Sequence, residues 1–418
     1  MPETKTTPEL RFAGYTDAWE QHKLGDISTS YSGGTPTAGK NEYYGGDIPF
    51  IRSGEISENH TELFITESGL KNSSAAMVNV GDILYALYGA TSGEVSRSKV
   101  KGAINQAILA ILPHQGYDSE FLMQWLRMKK KSIVDTYLQG GQGNLSGTIV
   151  KDLVVDLPSY EEQARIGESL ASIDTLITLH QRKYERLKTV KASMLEKMFP
   201  RNGSNVPEIR FSGFTDPWEQ RKLGDIFAFL SNNTLSRAEL STETGPAMNV
   251  HYGDVLIKFG EYLDAAKITL PFIPSQQLVD KFKSSLLQDG DVIMADTAED
   301  EAVGKCTEIA GLQGFPTISG LHTIPLRPTR SFAPGYLGYY MNSDAYHDQL
   351  LPLMQGIKVT SVSKSAIQNT DISYPADSAE QVRIGRFFIQ LDTLITLHQR
   401  KLEKLKQIKQ SFLEKMFV

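Results

Sequence analysis

The sequence predicts an α+β protein built as a tandem repeat with pseudo-twofold symmetry. Two mixed α/β domains are separated by two long helices that form an antiparallel coiled coil. Three observations lead there: a duplicated frame, two heptad stripes, and short β-like runs confined to the stretches between them.

The duplication comes first. Residues 8–27 read PELRFAGYTDAWEQHKLGDI and residues 207–226 read PEIRFSGFTDPWEQRKLGDI, identical at fifteen of twenty positions. DTLITLHQRK occurs at both 174–183 and 392–401, and LEKMF at both 195–199 and 413–417. Glu162-Gln163 with Arg165-Ile166-Gly167 recurs as Glu380-Gln381 with Arg383-Ile384-Gly385. The offset is 199 in the lead-ins and 218 in the helices, so the two inserts between them differ in length. Residues 28–158 and 227–375 share little sequence. The organisation is therefore a lead-in with a first variable domain (1–158), a helix (159–200), a second lead-in with a second variable domain (201–375), and a second helix (376–418). Two equal frames holding unlike inserts suggest one task performed on two targets.

In each lead-in, Phe12 with Trp19 and Phe211 with Trp218 are large apolar residues in a polar stretch, expected to dock the frame. The variable domains carry strand-like runs at 48–51, 82–87, 107–112, 292–294 and 321–326, broken by Gly, Pro, Asn and Asp. Three Gly-Asp-aliphatic-aliphatic units, at Gly81, Gly253 and Gly290, read as turn-and-strand starts. A helix is expected to follow in each domain, at 119–138 and 334–351.

From residue 161 the apolar period becomes helical. Ile166, Leu170, Ile173, Ile177, His180, Tyr184, Leu187, Lys191, Met194 and Met198 alternate steps of four and three. Ile384, Phe388, Leu391, Ile395, His398, Leu402, Leu405, Lys409, Phe412 and Met416 repeat the stepping. About forty residues of helix extend about 60 Å. Each helix has one seam and the chain holds two, so they are expected to pair with each other. His180 and His398 read as polar residues that set register rather than as metal ligands. Lys191 and Lys409 are expected to pack their stems and carry the ammonium out to water.

The formal net charge is −6, which opposes unaided binding to DNA, yet residues 181–201 hold seven Lys/Arg against two Glu and 399–418 hold six against two. Cys306 is the sole cysteine, which excludes a disulfide within the chain and fits a reduced, cytoplasmic setting. No apolar run approaches the ~20 residues of a membrane span, so no membrane association is expected.

Enzyme chemistry finds little support. Gly34-Thr35-Pro36-Thr37-Ala38-Gly39-Lys40-Asn41 nearly matches a phosphate loop, but Asn41 replaces the hydroxyl residue that would hold Mg²⁺. One cysteine and eight scattered histidines give no zinc spacing. No Asn/Asp-Pro-Pro-aromatic motif or nuclease-like carboxylate cluster is present.

The arrangement resembles the specificity subunit of type I restriction–modification systems across essentially the whole chain. The carriers are the duplicated frame, Pro158…Glu162-Gln163…Ile166 with Glu380-Gln381…Ile384, Trp19-Glu20…Leu24-Gly25-Asp26 with Trp218-Glu219…Leu223-Gly224-Asp225, and Ser32-Gly33-Gly34-Thr35-Pro36. The second helix opening lacks the double acid of Glu161-Glu162, and the second domain lacks an SGGTP stretch.

The resemblance implies two target-recognition domains, each reading half of a bipartite, non-palindromic site in double-stranded DNA, with the helices fixing the spacer. It also implies no catalysis by this chain. Two methylation subunits would bring S-adenosylmethionine and modify adenines, and restriction subunits would bring ATP and Mg. Polar loops are where base-reading side chains are expected. In the first domain the candidates are Ser32, Thr35, Thr37, Lys40, Tyr88, Ser92, Arg97, Lys99, Gln142 and Asn144. In the second they are Asn232, Asn233, Arg237, Lys258, Lys267, Lys305, Gln355 and Lys358. The rival reading is a two-headed scaffold that binds proteins or glycans at the ends of a coiled coil.

Overall fold

Alternating and fully apolar runs become short strands, and the two heptad stripes become two very long helices. A computed structural model of the chain describes residues 7–138, 144–201, 203–299, 302–356 and 358–418. It divides into two units, Met1–Gln181 with Arg400–Val418, and Arg182–Gln399, so each unit takes half of each long helix.

In the first unit an antiparallel sheet has the order Ser28–Ser32, Ile108–Pro113, Ile83–Ala86, Val95–Arg97. A second sheet has the order Phe64–Ile65, Tyr44–Ile51, Gly102–Ile104, Ala76–Val78, with its two central strands parallel. The lead-in strand Glu20–Lys23 pairs with Val154–Leu157. Asp118 caps helix α1 (Ser119–Tyr137) by accepting from the Phe121 N–H at 2.8 Å. Helix α1 buries Phe121, Leu122, Trp125 and Leu126 against Trp19, Ile83, Tyr85 and Ile111.

The second unit repeats this plan with almost none of the same residues. Phe227–Phe229, Thr323–Pro328, Val292–Ala295 and Cys306–Ala310 take the same order, with Tyr262–Asp264 added as a fifth, parallel edge strand. Phe272–Ile273, Ala247–Val250 and Thr317–Ser319 form the smaller sheet in that order, with the last two again parallel. Glu219–Lys222 pairs with Asp371–Tyr374. The variable domains are thus alike in topology, which their sequences did not suggest.

Two Gly-Asp units behave as expected. Gly81 and Gly290 take φ of +98° and +94°, and Asp82 and Asp291 each accept the N–H three residues earlier at 2.8 Å, launching a central strand. The third does not: Gly253-Asp254 lies in a helix, Tyr252–Ile257, whose start His251 caps from its ring nitrogen at 3.1 Å. The helix expected over 334–351 is also interrupted. Helix α3 (Tyr336–Met341) stops and a separate turn follows at Asp344–His347. Asn342 causes the break, because its side chain bonds both backbone groups of Cys306, at 2.9 and 2.8 Å, at the start of its strand, where the edge strand does not reach.

Helices α2 (Tyr160–Lys197) and α4 (Ser378–Met416) run antiparallel within each unit. In the first, Ile166 and Leu170 of α2 share a core with Leu413 and Met416 of α4 and with Phe417 beyond its end. In the second, Ile384 and Phe388 of α4 share a core with Met198 and Phe199 at the end of α2. Leu391 is buried, whereas the later seam residues Ile173, Ile177, His180, Ile395 and His398 are half-buried. Lys191 and Lys409 do not reach out to water. Lys409 pairs with Asp174 at 2.5 Å, and Lys191 with Asp392 at 2.7 Å and Glu261 at 2.6 Å. A half-buried ammonium is held where the antiparallel partner supplies a counter-charge.

The lead-ins lock both frames identically. Arg11 grips Glu162 through two 2.7 Å hydrogen bonds, and Arg210 grips Glu380 at 2.7 and 2.8 Å. Gln163 and Gln381 donate to the carbonyls of Pro158 and Pro375 at 2.9 and 2.8 Å.

Glu308, 3% exposed, accepts from the Gly335 and Gly338 N–H groups at 2.7 and 2.9 Å and so seats α3 on the sheet. Burial pushes its pKa up from 4.5 to about 7. The unfolded chain loses this proton first, so the contribution is fully present below pH 4.5 and lost as pH rises through 7. The loss amounts to about 3 kcal/mol. Glu308→Gln is expected to flatten that part of the stability–pH curve, measured by urea unfolding; an unchanged slope would contradict the assignment.

Candidate nucleic-acid interface

The strand registers place one set of loops at a single end of each main sheet. In the first unit Ser32 lies opposite Leu109, Ala86 opposite Ile108 and Tyr85 opposite Val95. The loops beyond these residues therefore leave the sheet together. Backbone hydrogen bonds tie them: Gly33 N–H to Asn105 at 3.2 Å, Leu87 N–H to Ala107 at 2.8 Å, and Leu145 N–H to Leu87 at 2.9 Å. Tyr88 and Asn144 form an isolated bridge.

The second unit ties its loops in the same three ways. Asn233 N–H donates to Ser319 at 2.8 Å, Asp296 N–H to His322 at 3.1 Å, and Val362 N–H to Asp296 at 2.9 Å. Thr297–Ala298 pairs with Thr360–Ser361, and Gln355 bridges to Ser361. Ser146 and Ser363 then cap short helices, each accepting an N–H three residues later at 3.2 Å. Each domain thus has one loop end, the candidate reading end, where four loops of unlike sequence hang on one hydrogen-bonding scheme.

Several sequence candidates meet there. Ser32, Thr35 and Asn144 are exposed and Tyr88 is half-exposed; Thr35 donates to Gln106 at 2.8 Å. Thr37 and Lys40 are exposed farther along the same loop, with Lys40 donating to the Tyr43 hydroxyl at 3.2 Å. In the second unit Gln355 and Lys358 are exposed, and half-buried Asn232 donates to the Gly320 carbonyl at 3.1 Å. Exposed Lys258 follows the helix Tyr252–Ile257. Arg237 is exposed but held in two hydrogen bonds by Asp254, at 2.5 and 3.0 Å.

Other candidates leave the set. Ser92 is buried and donates to the Leu87 and Gly89 carbonyls, fixing its own turn. Asn233 is buried and donates to Asn249 and the Ser319 carbonyl. Arg97 stands opposite Ile83, at the other end of the sheet, where it binds the Gly81 carbonyl and Glu120. Lys99, two residues on, donates to the Ser57 carbonyl. Lys267 pairs with Asp264, which lies opposite Ala310 at that same far end. Lys305 reaches the right end but is half-buried, donates to the Leu256 carbonyl, and has its pKa lowered by burial. Gln142 lies outside the described residues.

Two exposed residues at the reading ends are additions to the sequence-based set. Gln106 and His322 occupy equivalent turns that lead from the smaller sheet into the main one, and His322 takes φ of +54° with the Tyr252 ring 5.2 Å away. The available signal was the polar Asn105-Gln106 break inside an otherwise apolar run.

Chemically, the first of these ends offers amide and hydroxyl groups and the second amide groups and the His322 ring nitrogens, all able to donate to or accept from base edges. Among the described residues no group of three or more His, Cys, Asp or Glu is placed to hold a metal ion, and no helix is long and apolar enough to cross a membrane.

Comparison with known proteins bears on this geometry. The family described as "Type I restriction modification DNA specificity domain" matches residues 16–189 and 215–407. The type I restriction enzyme MjaIX specificity subunit of Methanocaldococcus jannaschii is 28% identical over 239 residues, covering 54% of this chain and 55% of that protein. The EcoR124I/EcoR124II specificity subunit of Escherichia coli is 27% identical over 187 residues, covering 40% and 46%. The chain thus spans about half the length of the curated relatives it matches. A crystal structure of a type I restriction-modification S subunit from M. genitalium aligns over 99% of both chains with a TM-score of 0.58 at 14% identity, a likeness of fold.

Proposed function

The chain belongs to the type I restriction modification DNA specificity family, and on that premise we propose that it reads a bipartite, asymmetric site in double-stranded DNA, one half with each domain. The observation that carries this is the pair of reading ends: one loop scheme, repeated, carrying different side chains. Identical scaffolds with unlike recognition groups suit one kind of ligand with two sequences.

The chain itself performs no chemistry in this reading. Two methylation subunits, with S-adenosylmethionine, modify adenines at the chosen site, and restriction subunits use ATP and Mg to cleave. These partners supply much of the phosphate grip that a chain of net charge −6 lacks. The long helices fix the spacer between half-sites, and the complex works in the cytoplasm. No observation favours the two-headed scaffold, whereas the family match supports DNA.

The test separates the two ends. Asn144→Ala is expected to reduce discrimination at the first half-site alone, and Gln355→Ala at the second alone, each by about 1–3 kcal/mol. Competition binding by the assembled methylation complex, with duplexes altered in one half-site at a time, reads this out. Equal losses for every duplex from either variant would count against a division of labour.

A further inference from the structure

We propose that the exposed basic bands of the two long helices, at 182–188 and 400–406, grip DNA phosphates beside each half-site. The inference rests on the site-reading function above and adds a surface outside the reading ends.

Arg182, Lys183, Arg186 and Lys188 of α2 are all exposed, as are Arg400, Lys401, Lys404 and Lys406 at the same positions of α4. Each stretch holds four cations and one acid, Glu185 or Glu403, in a chain whose net charge is −6. Each unit contains one band: 400–406 in the first and 182–188 in the second.

Their height in the fold points to DNA. In the first unit α1 begins at the far end of the sheet, where Glu120 meets Arg97, and climbs until Lys130 pairs with Glu94 at the reading end. Helix α2 climbs beside it: Gln163 accepts from the Asp118 N–H, and eleven residues later Asp174 accepts from Gln124 and Arg127, both at 2.9 Å. Asp174 also holds Lys409 of antiparallel α4. Residues 400–406 therefore lie up to about 14 Å farther toward the reading end.

The second unit repeats the climb. Gln381 of α4 accepts from the Ala333 N–H beside Gly335, which donates to Glu308, and Glu308 stands opposite Val292 at the far end. Asp392 then meets Tyr339 and Lys191, and residues 188–182 continue in the same direction. DNA laid across either reading end meets the band of that unit.

A seven-residue stretch rises about 9 Å, enough to face two or three phosphates of one strand at about 3.4 Å of axis each. The bands are nearly identical although the half-site readers differ, so their ligand is common to both half-sites, and the phosphate backbone meets that condition.

The experiment uses the assembled methylation complex with Arg182→Gln, Lys183→Gln, Arg186→Gln, Arg400→Gln, Lys401→Gln and Lys404→Gln combined. Glutamine keeps the helix propensity. Affinity is measured from about 50 to 200 mM salt for a duplex with the methylated site and for one without it. The expected result is an equal fall for both duplexes, tenfold or more at low salt, with the methylated motif unchanged. The slope of log affinity against log salt becomes shallower by about 0.9 for each phosphate no longer neutralised. Unchanged affinity and slope would overturn the proposal. Loss of a methylation subunit, with the surviving complex binding DNA as before, would also overturn it, assigning the bands to an acidic protein surface. If the unaltered complex fails to distinguish the duplexes, the site-reading premise falls, a result independent of the salt slopes.

Discussion

Phe417→Ala is expected to destabilise the first unit by about 3–5 kcal/mol, and Phe199→Ala to do the same to the second. Phe417 is 5% exposed and packs its ring 5.0 Å from that of Phe121, in a core that includes Trp19. Residues at opposite ends of the sequence therefore complete one core. Phe199 is 1% exposed and is ringed by Trp218, Tyr336, Tyr340 and Phe388 at centroid distances of 5.6–6.2 Å. For units of this size such losses lower the melting temperature by roughly 10 °C. Hydrogen exchange resolved by segment checks the assignment, because Phe417→Ala should weaken protection in α1 while leaving α3 as it was. Undiminished protection of α1 would mean that the chain end does not complete that core.

Inserting one heptad after Gln181 and another after Gln399 is expected to change the preferred spacer and leave both half-sites intact. These points coincide with the division between units, so the pairs Lys409–Asp174 and Lys191–Asp392 are preserved within their own units. Each insertion lengthens a helix by about 10 Å, close to three base pairs at about 3.4 Å each. The original spacer should lose at least tenfold in affinity while one about three base pairs longer gains. Altered half-sites with an unchanged spacer would contradict the ruler.

The frame is legible because repetition needs no structural knowledge to detect. Trp19, Trp218, Ile166 and Ile384 are buried, as their repeated positions suggest. The common topology of the variable domains is not legible, since β order is set by burial and register rather than by matching residues. Partner identity along the seam is equally hidden. The heptads alone send Lys191 and Lys409 to water, because nothing in either stripe reveals that the antiparallel register brings Asp392 and Asp174 alongside.

The candidate site is legible only as polarity in loops. That criterion cannot separate Asn144, which is exposed, from Asn233, whose amide is buried against Asn249 and the Ser319 carbonyl. Nor can it tell which end of a strand a loop leaves. Polarity groups Arg97 and Lys267 with Tyr88 and Lys258, although the registers place them at the far end of their sheets. His322 escapes the criterion because its value comes from a turn paired with another loop across 26 residues.

The most direct test of the central claim is a base-resolution methylation map of cells with and without this chain, its partner subunits being expressed in both. The account predicts that one split, asymmetric N6-methyladenine motif disappears with the chain. An unchanged map in cells from which the assembled complex can be purified would contradict it.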